Sequence, residues 1–185
     1  MRVIAGNYKG RTIKPVPGKY TRPTSDKVKE AIFHMMGPFF SGGKCLDLFA
    51  GSGSLGIEAL SRGMEHVTFV DQQGRAIQTI NDNLKTLNIN TRAEVYRMDA
   101  FRALHMLAKQ QSMFELILID PPYLKVDYEL LLNKLIDLKL MQANGIIYCE
   151  HGSEETLPSS IPHLTLVKQV NYGQTTGITL YRHTP

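Results

Sequence analysis

Apolar positions along the chain follow two rhythms. The short runs at 44–49, 66–71, 92–97, 114–119 and 145–150 are rich in aliphatic residues and have the length of strands buried on both faces. Between them, residues 54–62, 74–87, 101–110 and 127–138 repeat apolar side chains at three- and four-residue spacing, the period of a helix with one buried face. Strands alternating with helices predict βαβ units, hence a parallel sheet covered on both sides. After Gly152 the rhythm changes: "LTLVKQVNYG" and "TGITLYRH" read as two strands joined by a short glycine-containing loop, an antiparallel hairpin at one edge. The predicted fold class is α/β, a Rossmann-like sheet of five parallel strands plus an antiparallel edge hairpin.

The front of the chain lies outside this alternation. "RVIAG" and "RTIKPV" flank the turn-like "NYKG", which predicts a small β-hairpin over residues 1–18. In "RPTSDKVKEAIFHMM", Thr24 or Ser25 suits an N-cap and Asp26 the first turn. Val28, Ile32, Met35 and Met36 form an apolar stripe, and Gly37-Pro38 ends the helix. The chain divides into an N-terminal hairpin and helix extension, 1–40, and a main domain, 41–185.

Composition narrows the class. No apolar run approaches the ~20 residues of a membrane span, and the N-terminus lacks the apolar core of a signal peptide. Cys45 and Cys149 each sit in an apolar run, which predicts buried free thiols in a reducing cytoplasmic setting. No His/Cys cluster has metal-ligand spacing, so no metal is expected. The net charge of +4 is unevenly placed. Residues 1–29 hold eight lysines and arginines against the single Asp26, a local charge of +7, whereas the other 156 residues carry 13 basic and 16 acidic side chains. A basic segment on a slightly acidic body points to a polyanion, with Arg2, Lys9, Arg11 and Arg22 as candidate contacts. A merely solvated arm is the alternative.

Candidate chemistry clusters where the predicted strands end. In "CLDLFAGSGSLGIEAL", Gly51, Gly53 and Gly56 fit G-x-G-x-x-G between a strand and a helix, a turn that lets backbone approach a nucleotide. Asp71 ends the next strand twenty residues after Gly51, the place for an acid that accepts from ribose hydroxyls. Asp99 ends the third strand, followed by Ala100 and Phe101, and suits an adenine amino group with an apolar cover. Asp47 lies just before the glycine loop, where it would repel a phosphate. That disfavours a nicotinamide dinucleotide and favours S-adenosylmethionine, which carries adenosine, a sulfonium and an amino acid but no phosphate. The fourth strand runs into "DPPY", Asp120 to Tyr123: a carboxylate and an aromatic ring joined by two residues of fixed φ. A strand terminator is the plain alternative.

The segments "DLFAGSGSLGIEALSRG", "VDQQ", "MDAF" and "DPPY", in this order, resemble class I S-adenosylmethionine-dependent methyltransferases acting on exocyclic amino groups of bases. The front end, "RVIAGNYKGRTIKPV" followed by "RPTSDKVKEAIF", is similar to the bacterial RsmD family, the 16S rRNA guanine-N2-methyltransferases. The resemblance implies S-adenosylmethionine as cofactor. Asp47, Phe49, Gly51 and Gly53 would line its methionine end, Asp71 its ribose, and Asp99 and Ala100 its adenine. Asp120, Pro121 and Tyr123 would face a flipped base, and Arg22 and Thr24 would contribute to RNA contact. The implied partner is 16S rRNA within the assembled or assembling small ribosomal subunit, met by a monomer without a membrane. An adenine-N6-methyltransferase of DNA or RNA and a non-catalytic RNA-binding protein are the competing readings. Against DNA, the core beyond residue 40 leaves no room for a large base-reading domain.

Overall fold

Strand parity decides which of two cores each apolar side chain enters, because successive residues of a strand point to opposite faces. The computed structural model describes residues 1–18 and 25–185. Helix α1 (Asp26–Met36) comes first, followed by β1 (Lys44–Asp47), α2 (Ser54–Ser61), β2 (His66–Asp71) and α3 (Gly74–Thr86). A 3-10 turn at Asn90–Arg92 leads into β3 (Ala93–Arg97), α4 (Ala100–Lys109), β4 (Phe114–Ile119) and α5 (Tyr128–Asp137). The chain closes with β5 (Met141–Gly152), β6 (Leu164–Tyr172) and β7 (Thr176–His183).

One seven-stranded sheet has the order β3-β2-β1-β4-β5-β7-β6. Strands β1 to β5 pair in parallel, and β7 joins β5 and β6 antiparallel. Cys45, Leu116, Leu118 and Tyr148 point to one face, packing with Ile32 and Phe33 of α1, Ile57 and Leu60 of α2, and Ile80 and Leu84 of α3. Leu46, Ile117, Ile119, Ile147 and Cys149 point to the other face, against α4 and α5. Both cysteines are buried and free. Strand β5 begins earlier than the apolar run suggested: Met141 already pairs with Phe114, and the register shifts before Leu116 pairs with Ile146.

The N-terminal segment is held as a paired arm rather than as two regular strands. Arg2 and Thr12 form a single antiparallel bridge. Val3 N–H donates to Arg11 O at 2.9 Å and Ile13 N–H to Met1 O at 2.8 Å. The arm stops being a ladder because its partners lie elsewhere. Ile4 N–H and Ala5 N–H both donate to the Glu58 carboxylate of α2, at 2.8 and 3.1 Å. Lys14 N–H donates to Asn83 Oδ1 on α3. Gly6, at φ +88°, allows this approach, since a Cβ there would fall 1.9 Å from Ser61 O. Helix α1 starts at its Ser25 cap, whose hydroxyl accepts from Val28 N–H.

A buried ionic knot ties arm, α1 and α2 together. Glu58 accepts from Arg62 Nε at 2.9 Å and sits 3.6 Å from Lys29 Nζ. Arg62 also reaches Glu30 at 3.2 Å and lies over the Phe33 ring. Lys29, Glu58 and Arg62 are almost fully buried. Burial pulls the Lys29 ammonium below its ordinary value, against the pull of Glu58 and Asp26.

Candidate active site

Parallel strands present their carboxyl ends on one edge, and the groups expected from the sequence collect there. Gly51 and Gly53 have left-handed φ of +56° and +83°, which turns the chain from β1 into α2. Gly51 N–H donates to Asp71 Oδ2 at 3.0 Å, so the glycine loop is pinned to the end of β2. Asp71 Oδ1 accepts from Gln73 N–H at 2.9 Å. A carboxylate offers about four lone-pair sites, so acceptor capacity is left for hydroxyl groups. Gly56 has a different duty: a Cβ there would meet the Phe69 ring at 2.4 Å and Asp47 Oδ2 at 3.0 Å. Its absence lets α2 pack on β1 and β2.

Asp47 is almost fully buried beneath the loop and accepts from Gly56 N–H at 3.0 Å. Burial pushes its carboxyl up to about 7; the Gly56 hydrogen bond opposes this and the Asp71 charge adds to it. Asp99 caps α4, accepting from Arg102 N–H at 3.2 Å, and is exposed on the same edge. Ala100 is buried behind it, and Phe49 is half-buried beyond β1.

Asp120 follows β4 and is half-buried; Pro121 is buried, while Pro122 and Tyr123 are exposed. Burial, then the charge of Glu150 and a side-chain hydrogen bond with it, then the charge of Asp47, push the Asp120 carboxyl well above the usual carboxylate range. The Tyr123 ring is 44% exposed, and its hydroxyl is 3.2 Å from Thr176 Oγ1 at the start of β7. The rigid Asp-Pro-Pro-Tyr link therefore has a second support from the edge hairpin. A shallow cavity at the opposite end of the sheet, lined by Phe39, Phe40, Met64 and Glu115, holds none of these groups.

The acidic rim bears on which ligand the site suits. Asp71 bonds the glycine loop, Asp47 bonds the helix it leads into, Asp120 lies near Asp47, and the space where a Gly51 Cβ would point is open. Carboxylates repel a phosphate at that position and attract a cation. The residues thus fit a nucleoside that carries positive charge. Among the described residues, no group of three His, Cys, Asp or Glu side chains has the arrangement to hold a metal ion.

The basic candidates differ from one another. Lys9 and Arg11 are exposed, with Arg11 Nη2 donating to Thr86 O at 3.2 Å. Arg2 is exposed but pairs with Asp26 at 2.8 Å. Arg22 and Thr24 lie outside the described residues. Lys29, counted in the basic segment, faces Glu58 in the interior and is no surface charge. Sequence reasoning missed Glu150, the last residue of "GIIYCE". The rule that found Asp71 and Asp99, an acid at a carboxyl strand end, applies to it equally. Thr176 had no comparable signal, since it meets Tyr123 from 53 residues away.

The strand order, the antiparallel β7 and the glycine loop after β1 define a Rossmann-like fold of the class I methyltransferase type. Solved structures agree. Escherichia coli yhhF matches with a TM-score of 0.83 at 33% identity, covering 99% of this chain and 97% of that one. SMU.776, solved as a complex with SAH, matches in fold with a TM-score of 0.70 at 16% identity, covering 88% of this chain and 50% of that one. The chain belongs to the RsmD family: the family model described as "Conserved hypothetical protein 95" matches residues 1–182. Bacillus subtilis YlbH is 50% identical over 98% of both chains. The "Ribosomal RNA small subunit methyltransferase D" of Haemophilus influenzae is 35% identical over 98% of this chain and 92% of its own length. Among the described residues, no helix is long and apolar enough to cross a membrane.

Proposed function

We propose that the protein transfers a methyl group from S-adenosylmethionine to the N2 amino group of a guanine in 16S ribosomal RNA, in the context of the small subunit. The observation that carries this reading is Asp120-Pro121-Pro122-Tyr123 at the carboxyl end of β4, on the same edge as the glycine loop and the carboxylates of Asp47 and Asp71. The names of the Haemophilus influenzae and Escherichia coli relatives support rRNA as the substrate. The SAH bound in SMU.776 is the demethylated form of the proposed cofactor.

The cofactor supplies an electrophilic methyl on a cationic sulfur. Asp47, Phe49, Gly51 and Gly53 bind its methionine end, Asp71 its ribose, and Asp99 and Ala100 its adenine. A base amino nitrogen is a poor nucleophile because its lone pair is delocalised into the ring. Asp120 accepts one N–H and the Pro121 carbonyl the other, which orients the lone pair toward the methyl. As the nitrogen becomes cationic, the Asp120 carboxylate beside it stabilises the developing charge. Tyr123 stacks on the face of the flipped base. In this reading residues 41–185 form the catalytic domain. Residues 1–40 add the RNA-contacting extension, with Arg2, Lys9, Arg11, Arg22 and Thr24 as its contacts to RNA.

The test is transfer of labelled methyl to small-subunit particles, followed by nucleoside analysis. N2-methylguanosine is the expected product. N6-methyladenosine would replace the reading with the adenine alternative, and no transfer would leave an RNA-binding protein.

A further inference from the structure

Strands β4 and β5 bring a second acid beside Asp120. Their parallel register pairs Ile119 with Cys149, so the next residues, Asp120 and Glu150, end adjacent strands on the same face of the sheet. Glu150 is 8% exposed. The buried Tyr148 hydroxyl donates to Glu150 Oε1 at 2.9 Å, and the Tyr128 hydroxyl donates to its main-chain carbonyl. The first bond fixes the side chain and the second the backbone that carries it, and neither uses Oε2. Among the described residues, the ion pairs lie at Arg2, Lys29 and Arg62, and none reaches Asp120 or Glu150. Two adjacent acids without a cation, one buried and one half-buried, are costly. A glutamine would satisfy Tyr148 equally well without a buried charge. The two carboxyls lie close enough to share a proton; once that proton is given up, the ionised pair presents two acceptors side by side to a ligand's donors.

Guanine offers matching donors. Its edge presents N1–H next to the N2 amino group, two donors side by side. Adenine presents its amino group next to N1, a lone pair. We infer that Glu150 selects the base: it accepts N1–H of guanine while Asp120 accepts an N2–H, and it repels the N1 lone pair of adenine. This deepens the guanine-N2 reading above and rests on it. In the transfer itself, the N2 lone pair forms the N–C bond and the C–S bond breaks with its electron pair going to sulfur. The N2 proton passes to the Asp120 carboxylate and on to solvent. Glu150 holds the base edge throughout.

The test replaces the methylated guanosine by 2-aminopurine in reconstituted particles. That base keeps the 2-amino group but has a lone pair at N1. Wild-type kcat/KM is expected to favour guanosine by roughly 10²-fold or more, because a site built for a donor is left unpaired without it. In Glu150→Gln the side-chain amide donates to N1, so the preference should narrow at least about tenfold, with 2-aminopurine gaining relative to guanosine. Cofactor affinity by calorimetry should stay near wild type. A Glu150→Gln protein that loses activity on both bases by one factor would make Glu150 a structural residue and overturn the inference. If that variant does not fold, wild type alone decides: equal rates on the two bases overturn it. A wild-type protein that methylates no guanine at N2 refutes the underlying reading instead.

Discussion

At Asp47 folding and the proposed cofactor binding pull in opposite directions. Its folded carboxyl ionises near 7, against an ordinary value of about 3.9. Between these values the folded chain holds a proton that the unfolded chain has released. Stability therefore falls as pH rises through that window and is level above it. Asp47→Asn keeps an acceptor for Gly56 N–H and removes the charge. The variant should melt higher than wild type at pH 8 and little differently at pH 4, while binding S-adenosylmethionine more weakly. A gap in Tm that does not change with pH would mean that Asp47 does not ionise in this range. In the proposed mechanism Asp120 works in its ionised form, and burial, Glu150 and Asp47 all oppose ionisation; Tyr123, Tyr128 and Tyr148 are the other titratable groups near it. Its kcat/KM should fall as pH drops through a value above the usual carboxylate range. Asp120→Asn should cost ~10² in turnover above that limb and erase it, so the deficit narrows as pH falls. Tyr123 has two handles. Tyr123→Ala removes a stack worth about 1–3 kcal/mol, whereas Tyr123→Phe keeps the ring and gives up the hydrogen bond with Thr176. Phe should cost a few-fold in kcat/KM, and Thr176→Val should reproduce that smaller loss. Equal damage from Phe and Ala would make the hydroxyl the working part.

Helix α2 serves both halves of the protein. Its first turn follows the glycine loop, and its last turn carries the ionic knot that holds the arm. Glu58→Gln keeps the shape but leaves Arg62 and Lys29 short of a counter-charge in the interior. Breaking such a network costs ~3–5 kcal/mol, to be read from urea denaturation midpoints; a shift near zero would mean that the main-chain bonds from Ile4 and Ala5 carry the docking. The elements themselves were legible. Alternating runs gave the five parallel strands, the hairpin and the helices because one face of each helix and both faces of the central strands are dry. The knot was not legible, because its members come from residues 29, 30, 58 and 62 and nothing local marks an acid or a lysine as buried. For the same reason the arm read as a strand pair: Ile4 and Ala5 look like ladder residues until Glu58 takes their donors. The glycine loop and "DPPY" were readable because their spacing is local. The neighbour of Asp120 across the sheet depends on register, which spacing along one strand does not reveal.

For the whole molecule, charge is the property that reaches a large RNA. Lys9 and Arg11 stand exposed on the arm, Arg2 beside them shares Asp26, and Lys29 is withdrawn. Replacing Arg2, Lys9 and Arg11 with alanine should weaken particle binding. It should also flatten the dependence of log K on log salt by ~0.7–0.9 for each phosphate that is no longer neutralised. Cofactor affinity should not move. An unaltered slope would make the arm a solvated face. The anchoring of this arm also sets an order of events. Ile4 and Ala5 find their acceptor on Glu58, 54 and 53 residues further along. A chain is synthesised from its amino end, so this basic stretch emerges before the helix that fastens it exists. During that interval its donors lack their acceptor, and the arm is laid against the body only once α2 has formed.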